Sequence, residues 1–173
     1  MLNPMMTPGY RRYLKATAIR HITTPILRAV FEHFVEFTTH VGPDSAQSVC
    51  LFEYFPNQKY LSVPETDAAY ANRGDWYNIT ILPTWGTRTE FDEYGKAWSN
   101  KLLDELAALE KADESVPEGK EVVGKKGYFN GSMGDERVST VFGQNYPRLR
   151  ELKKKYDPEF VFRKWFAIVP AEK

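Results

Sequence analysis

The spacing of hydrophobic residues predicts two long amphipathic helices. The first begins near Thr24, which can cap it, has Pro25 at its first helical position and ends at Gly42-Pro43. We expect its apolar side to consist of residues at helical spacing, namely Leu27, Val30, Phe31, Phe34 and Val35. The second begins near Thr89 and Asp92 and carries one continuous apolar stripe, namely Phe91, Tyr94, Trp98, Leu102, Leu106 and Leu109.

Alternating and β-branched residues predict strands between these helices. Residues 48–55 are rich in Val, Leu, Phe and Tyr, which is typical of a strand, and Pro56-Asn57 turns the chain. A short strand over residues 60–63 could follow before Pro64. Residues 76–84 alternate as a strand does, and the pattern separates two faces, one with Trp76, Asn78, Thr80 and Leu82 and the other with Tyr77, Ile79 and Ile81.

Two segments lack such periodicity. Residues 1–23 are polar and aromatic, so we expect a leading segment rather than a packed element. Residues 112–127 are charged and contain glycines, which indicates a surface connector. Within the connector, residues 119–126 nearly match a P-loop, but Lys126 stands where Ser or Thr must bind magnesium. A basic surface loop is therefore the better interpretation.

A third helix is predicted near the C-terminus. Residues 128–131 begin a short extended segment or turn, and the helix then covers about residues 145–155, with Asn145 as its cap and Pro147 in its first turn. Asp157-Pro158 ends it. Helices and strands alternate along the chain without a regular βαβ period. We therefore expect an α+β fold, an antiparallel β-sheet with helices packed on one face.

Composition narrows the classes of function. The chain has 173 residues, which suits one domain or a large piece of a two-domain protein, and 42% hydrophobic residues suffice for a real core. A formal net charge of zero argues against a nucleic-acid surface. No apolar stretch approaches the ~20 residues that span a bilayer, so we expect no membrane segment. The N-terminus lacks the apolar core of a signal peptide, and the sequence leaves the compartment open.

The residues that usually carry chemistry form no recognisable site. Cys50 is the only cysteine, which excludes an internal disulfide, and its apolar neighbours favour a buried small side chain over a reactive thiol. His33, Glu36 and His40 share a helix face but lack the further ligand that zinc needs, so we predict no metal site. Judged by such motifs alone, the chain has no catalytic machinery of its own.

A series of short motifs nevertheless occurs in a recognisable order, namely residues 52–56, 68–70 and 73–79, then Tyr128-x-Asn130, then residues 143–145 and 156–158. Together they resemble the C-terminal part of berberine-bridge-enzyme-like flavin oxidoreductases, a branch of the vanillyl-alcohol-oxidase superfamily. The resemblance covers most of the chain, and it rests on the order and spacing of the motifs.

This resemblance implies a two-part protein with FAD as its cofactor. An N-terminal domain would bind FAD, a substrate domain would roof the flavin ring, and a final segment would return to the flavin domain. Residues 1–127 would then be part of the substrate (cap) domain and residues 128–173 the returning segment. The N-terminal FAD-binding domain would be absent, so we expect this chain alone not to bind FAD. Relatives of full length are often secreted.

The resemblance also implies a reaction, the oxidation of a small organic substrate by hydride transfer to flavin. Tyr128 would be the candidate base beside the flavin, although it could equally pack against the ring. Asn130 would bond the flavin's polar edge or nearby backbone. Thr80 stands at the substrate-facing position where many relatives place Glu or Gln, and threonine cannot act as a base at neutral pH.

Two hypotheses follow from these expectations. The first is that the chain is the C-terminal part of an FAD-linked oxidoreductase and is inactive in isolation; a flavin-domain chain or a second copy of this chain is a candidate partner, because a sheet face that covers a flavin would otherwise be exposed. Alternatively, it is a stand-alone binding or interaction module derived from that domain, without a cofactor.

Overall fold

The computed structural model describes residues 8–124 and 129–172. It contains three strands, namely β1 (Lys15–Ile19), β2 (Val49–Glu53) and β3 (Tyr77–Leu82). The helices are α1 (Thr24–Val41), α2 (Gln58–Leu61), α3 (Asp92–Ala112), α4 (Val138–Phe142) and α5 (Tyr146–Tyr156). No helix in the described part of the chain is both long and apolar enough to cross a bilayer.

The strands form one antiparallel sheet in the order β1-β3-β2. In its centre Thr80 of β3 lies opposite Ala16 of β1 and Leu51 of β2. Directly paired residues point to the same side of a sheet, so these three define one face, which we call the open face. Ile79 and Ile81 lie on the other, which we call the helix face because α1 and α3 cover it. The predicted α+β fold and the predicted alternation of β3 are confirmed.

Helix α3 supplies much of the core on the helix face. Trp98, Leu102 and Leu106 are buried there in one cluster with Ile79 and Ile81. The apolar stripe predicted for this helix is therefore confirmed. A continuous stripe on an otherwise charged helix leaves only one side that can face the sheet.

The apolar side predicted for α1 was wrong. The buried residues of this helix are Ile26, Ala29, Val30, His33, Phe37 and Val41. Of the predicted set only Val30 is among them, whereas Leu27, Phe31 and Val35 are 44–67% exposed. Helix α1 is apolar on two sides, so periodicity alone does not choose between them. Contact with α3 decides, and Trp98 Nε1 donates a hydrogen bond to the carbonyl of His33 at 3.0 Å.

The predicted caps of α1 and α5 make no side-chain cap bonds, and the cap of α1 is one residue from its predicted position. Thr23, rather than Thr24, occupies the N-cap position of α1, and it makes no side-chain cap bond. Asn145 precedes α5 as expected, but its buried side chain donates to the carbonyl of Glu65 at 2.7 Å instead of capping the helix. This bond ties the start of α5 to the loop that follows α2.

Strand β1 lies within the segment predicted to be unpacked. Thr17, Ala18 and Ile19 are buried, and the strand pairs along its length with β3. Its small residues give little hydrophobic signal, so pairing with a distant strand, rather than local pattern, creates this element. The strand predicted over residues 60–63 was wrong. Helix α2 takes its place and packs Tyr60 against Tyr70.

The connector after α3 is anchored rather than wholly at the surface. Glu110 is buried, and its Oε2 accepts hydrogen bonds from the backbone N–H groups of Val122 at 2.6 Å and Val123 at 2.8 Å. Its Oε1 accepts the N–H of Arg20 at 2.9 Å. Both valines are buried as a result, so the surface-loop prediction was wrong for this part of the connector. Residues 125–127 lie outside the described residues.

Candidate functional site

The open face of the sheet carries a cavity of about 610 Å³. Glu53 of β2 and Asn78 of β3, which lie directly opposite each other, contribute the residues from the sheet. The remaining lining residues come from the loops around α2, from Trp76 and from the C-terminal segment, namely Phe55, Pro56, Asn57, Tyr60, Ala68, Ala69, Tyr70, Trp76, Asn130 and Phe142. The cavity thus joins residues that are far apart in sequence.

Aromatic rings form most of the apolar wall. Tyr60 and Tyr70 lie with ring centroids 6.2 Å apart, and the hydroxyl of Tyr60 donates to the carbonyl of Asn72. Burial raises the pKa of the Tyr60 phenol, so this group stays neutral near pH 7. The ring of Trp76 lies so close to Gly74 that a Cβ at this position would overlap it, so the position requires glycine. The residues before β3 therefore hold a flat ring at the cavity.

The polar residues of the cavity lie at the sheet. Thr80 Oγ1 donates to Glu53 Oε2 at 3.2 Å. Thr80 lies on the open face, and Glu53 and Asn78 beside it line the cavity, so the substrate-facing role of Thr80 stays a prediction. Sequence reasoning missed Glu53. A single acid at the end of the apolar segment VCLFE was the available signal, and the register with β3 gives it meaning.

A short 3₁₀ turn, Phe129–Gly131, places Asn130 at the cavity. A Cβ on Gly131 would lie 2.5 Å from the Cβ of Ala16, so the turn packs directly on β1 and requires glycine at this point. Tyr128 lies outside the described residues, and its role as a base stays a prediction. The predicted turn is confirmed over residues 129–131.

An ion-pair network holds the residues after this turn against β1. Nζ of Lys15 lies 2.8 Å from carboxylate oxygens of Asp135 and of Glu136. The hydroxyls of Tyr13 and Ser132 donate to Asp135 and Glu136, respectively. Burial opposes the charge of Lys15, but its hydrogen bonds to Asp135, Glu136 and Tyr13 outweigh this effect and raise the pKa of the ammonium group.

Other candidate groups have structural surroundings. His33 Nε2 lies 2.7 Å from Glu105 Oε2, and His40 packs against Tyr94. Within residues 8–124 and 129–172, no group of three or more His, Cys, Asp or Glu side chains could hold a metal ion. Cys50 packs against the core, and burial raises the pKa of its thiol to about 12, which favours the predicted structural role.

The cavity is compatible with one edge of a flavin ring. Aromatic walls suit a flat heterocycle, and the amide of Asn130 can both donate and accept hydrogen bonds as a flavin's polar edge requires. Two residues were predicted to contact the flavin. Asn130 lies in the described part of the chain, and Tyr128 lies outside it. The fit therefore concerns the ring and does not extend to the rest of the cofactor.

Comparisons with known proteins agree with this arrangement. Residues 118–168 match the family described as berberine and berberine like. The chain is 30% identical to FAD-linked oxidoreductase pgmH of Aspergillus terreus, in an alignment that covers 94% of this chain and 34% of that protein. It is also 30% identical to FAD-linked oxidoreductase OXR1 of Pyricularia oryzae, over 90% of this chain and 29% of that protein. The chain thus spans about a third of the length of these curated relatives.

Solved structures share the fold. CrmK, a flavoenzyme involved in shunt product recycling in caerulomycin biosynthesis, matches with a TM-score of 0.69 and 24% identity. The match covers 98% of this chain and 35% of that one. At this level of identity the similarity shows a common fold.

Proposed function

The chain belongs to the berberine-bridge-enzyme-like family of FAD-linked oxidoreductases, and from this premise we propose that it forms the substrate-binding side of such an enzyme's active site. The observation that carries the proposal is the cavity on the open face, where β2, β3, the loops around α2 and Asn130 meet. In this proposal residues 1–127 are the substrate domain and residues 128–173 the segment that returns to a flavin domain.

The proposed reaction is the oxidation of a small organic substrate. FAD, when bound, supplies the chemistry of a hydride acceptor. The aromatic walls hold a flat substrate and exclude water, while Glu53, oriented by Thr80, positions a polar group. Asn130 holds the polar edge of the flavin. Tyr128 is the proposed base, and because the reference pKa of a phenol is ~10, it needs a neighbour that lowers this value.

The flavin-binding partner in this proposal packs against the C-terminal segment. Tyr156 and Phe162 are 73% and 78% exposed, and Trp165 is also largely exposed. Exposed aromatic residues concentrated in one segment are typical of a surface that another polypeptide covers. A flavin domain is the proposed partner, and a second copy of this chain is the alternative.

Flavin content and turnover test the proposal. The purified chain is expected to be colourless and inactive, and to gain bound FAD and activity when co-produced with the flavin domain of a family member. An Asn130→Ala variant should weaken flavin retention in that complex, whereas Asn100→Ala, at an exposed position on α3 outside the cavity lining, serves as the matched control. A yellow, active preparation of the chain alone would contradict the proposed dependence on a partner.

A stand-alone binding module is the second candidate. It is favoured by the continuous core on the helix face and by a cavity that residues of this chain form by themselves. The module is expected to melt cooperatively and to bind small ligands without flavin. An aggregated or molten preparation, seen by size-exclusion chromatography and near-UV circular dichroism, would count against it.

A further inference from the structure

The polar end of the cavity contains one buried hydrogen-bond acceptor without a donor among the described residues, next to a half-buried carboxylate. Glu53 and Asn78 face each other across β2 and β3 and both line the cavity. Among the described contacts, Glu53 receives a hydrogen bond from Thr80 through one oxygen, Oε2. The Oδ1 atom of Asn78 is buried and has no hydrogen-bond partner within the described residues.

A buried acceptor beside a carboxylate has a chemical consequence. A buried acceptor without a donor is costly, and a carboxylate needs several donors or a cation when it leaves water. The walls also carry donors, but the hydroxyl of Tyr60 donates to the carbonyl of Asn72 and the amide of Asn57 donates to Asp75. A ligand that brings a donor to this end of the cavity therefore satisfies Asn78 Oδ1, and a ligand with a negative charge would be repelled by Glu53.

We infer that Glu53 and Asn78 form an acceptor pair that selects the substrate. The pair takes a neutral or cationic ring compound that carries a hydroxyl or amino group, and it rejects carboxylates. This inference rests on the proposed function, because it assigns a substrate class to the same cavity. Glu53 is a specificity-determining residue in this scheme, and Thr80 is a positioning residue that holds its carboxylate.

Two probes of matched size test the inference on the chain itself. Benzyl alcohol carries a donor and benzoate a negative charge, and binding of each is followed by NMR through the side-chain signals of Trp76 and Asn78. We expect benzyl alcohol to bind at least about tenfold more tightly than benzoate, since hydrogen bonds to charged groups are worth about that much. The same spectra show whether each variant is folded.

Glu53→Gln removes the charge and keeps the size of the side chain. In this variant benzoate should gain about tenfold in affinity while benzyl alcohol weakens severalfold, so that the preference largely disappears. Asp67→Asn, which removes an exposed charge outside the cavity lining, should leave the preference unchanged.

The remaining outcomes separate the two proposals. Equal affinity of both probes for the unmodified chain, with the cavity signals still shifting, would overturn the acceptor pair and leave the proposed function standing. An unchanged preference in Glu53→Gln would do the same. If neither probe shifts the signals of the cavity residues, both the acceptor pair and the proposed substrate cavity are wrong.

Discussion

The two faces of the sheet differ in what covers them, although the same three strands build both. On the helix face, Ile79 and Ile81 are fully buried beneath α1 and α3. On the open face, the alternate residues Asn78 and Thr80 are only partly buried and lie beside a cavity. Alternation along one strand thus separates residues of the core from residues beside the cavity. Substitutions on the helix face should therefore mainly unfold the chain, whereas those on the open face should mainly alter binding.

The largest effect is expected in the centre of the helix face. Leu102→Ala should lower the free energy of unfolding by about 2–5 kcal/mol, because it leaves a cavity among fully buried side chains. Chemical denaturation measures this change. Leu152→Ala, at a residue that is 39% exposed, is the matched control and should cost under about 1 kcal/mol. Equal losses in the two variants would contradict the assignment of the core to this face.

The next effect concerns the buried carboxylate at the end of α3. Glu110→Ala leaves the backbone N–H groups of Arg20, Val122 and Val123 without their acceptor. We expect a loss of about 2–3 kcal/mol, since an unsatisfied buried donor costs about 1–3 kcal/mol and some of these groups can reach water. Hydrogen exchange at Val122 and Val123 should accelerate. Glu114→Ala, at an exposed position nearby, should change neither quantity.

A smaller loss of stability is expected when the ion pairs between β1 and the segment after the Phe129–Gly131 turn are removed. Lys15→Met keeps an apolar side chain but removes the cation shared by Asp135 and Glu136. We expect a loss of about 1–2 kcal/mol, less than for a fully buried pair, because both carboxylates are partly exposed and can regain water. NMR signals of Asn130 should shift as the segment loosens.

The pH dependence of this link follows from the raised pKa of Lys15. A raised pKa in the folded chain means that the contribution is complete below the ordinary lysine value of ~10.4 and is lost as the pH rises through the folded value. The free energies of unfolding of Lys15→Met and of the unmodified chain, measured by chemical denaturation, should thus differ by the same amount from about pH 6 to about pH 9. Lys101→Met, which affects a surface pair with Glu36, is the control and should cost little.

The smallest effect on stability is expected on the open face. Phe55 lines the cavity yet is 58% exposed, so Phe55→Ala should change the free energy of unfolding by under about 1 kcal/mol. Binding of benzyl alcohol, measured by the same NMR titration, should nevertheless weaken severalfold because part of the apolar wall is lost. Unchanged binding together with a large loss of stability would reverse the comparison between the faces.

Much of the fold could be predicted from local pattern. The stripe of α3 and the alternation of β3 depend on neighbours within one element, and both agree with the structure. Strand β1 and the buried side of α1 could not be predicted in this way. Strand β1 has small residues that give a weak hydrophobic signal, and α1 is apolar on two sides. Contacts with distant residues therefore decide that β1 forms and which side of α1 is buried.

The candidate site divides along the same line. The sequence by itself determined the family, through the order of its motifs, and placed Thr80 and Asn130 among the residues of interest. Only the tertiary structure decided that Glu53 belongs with them, because antiparallel register brings it opposite Asn78. Periodicity reports which side of an element is apolar. It carries no information on which distant element lies alongside, and hydrogen bonds and cavities depend on that pairing.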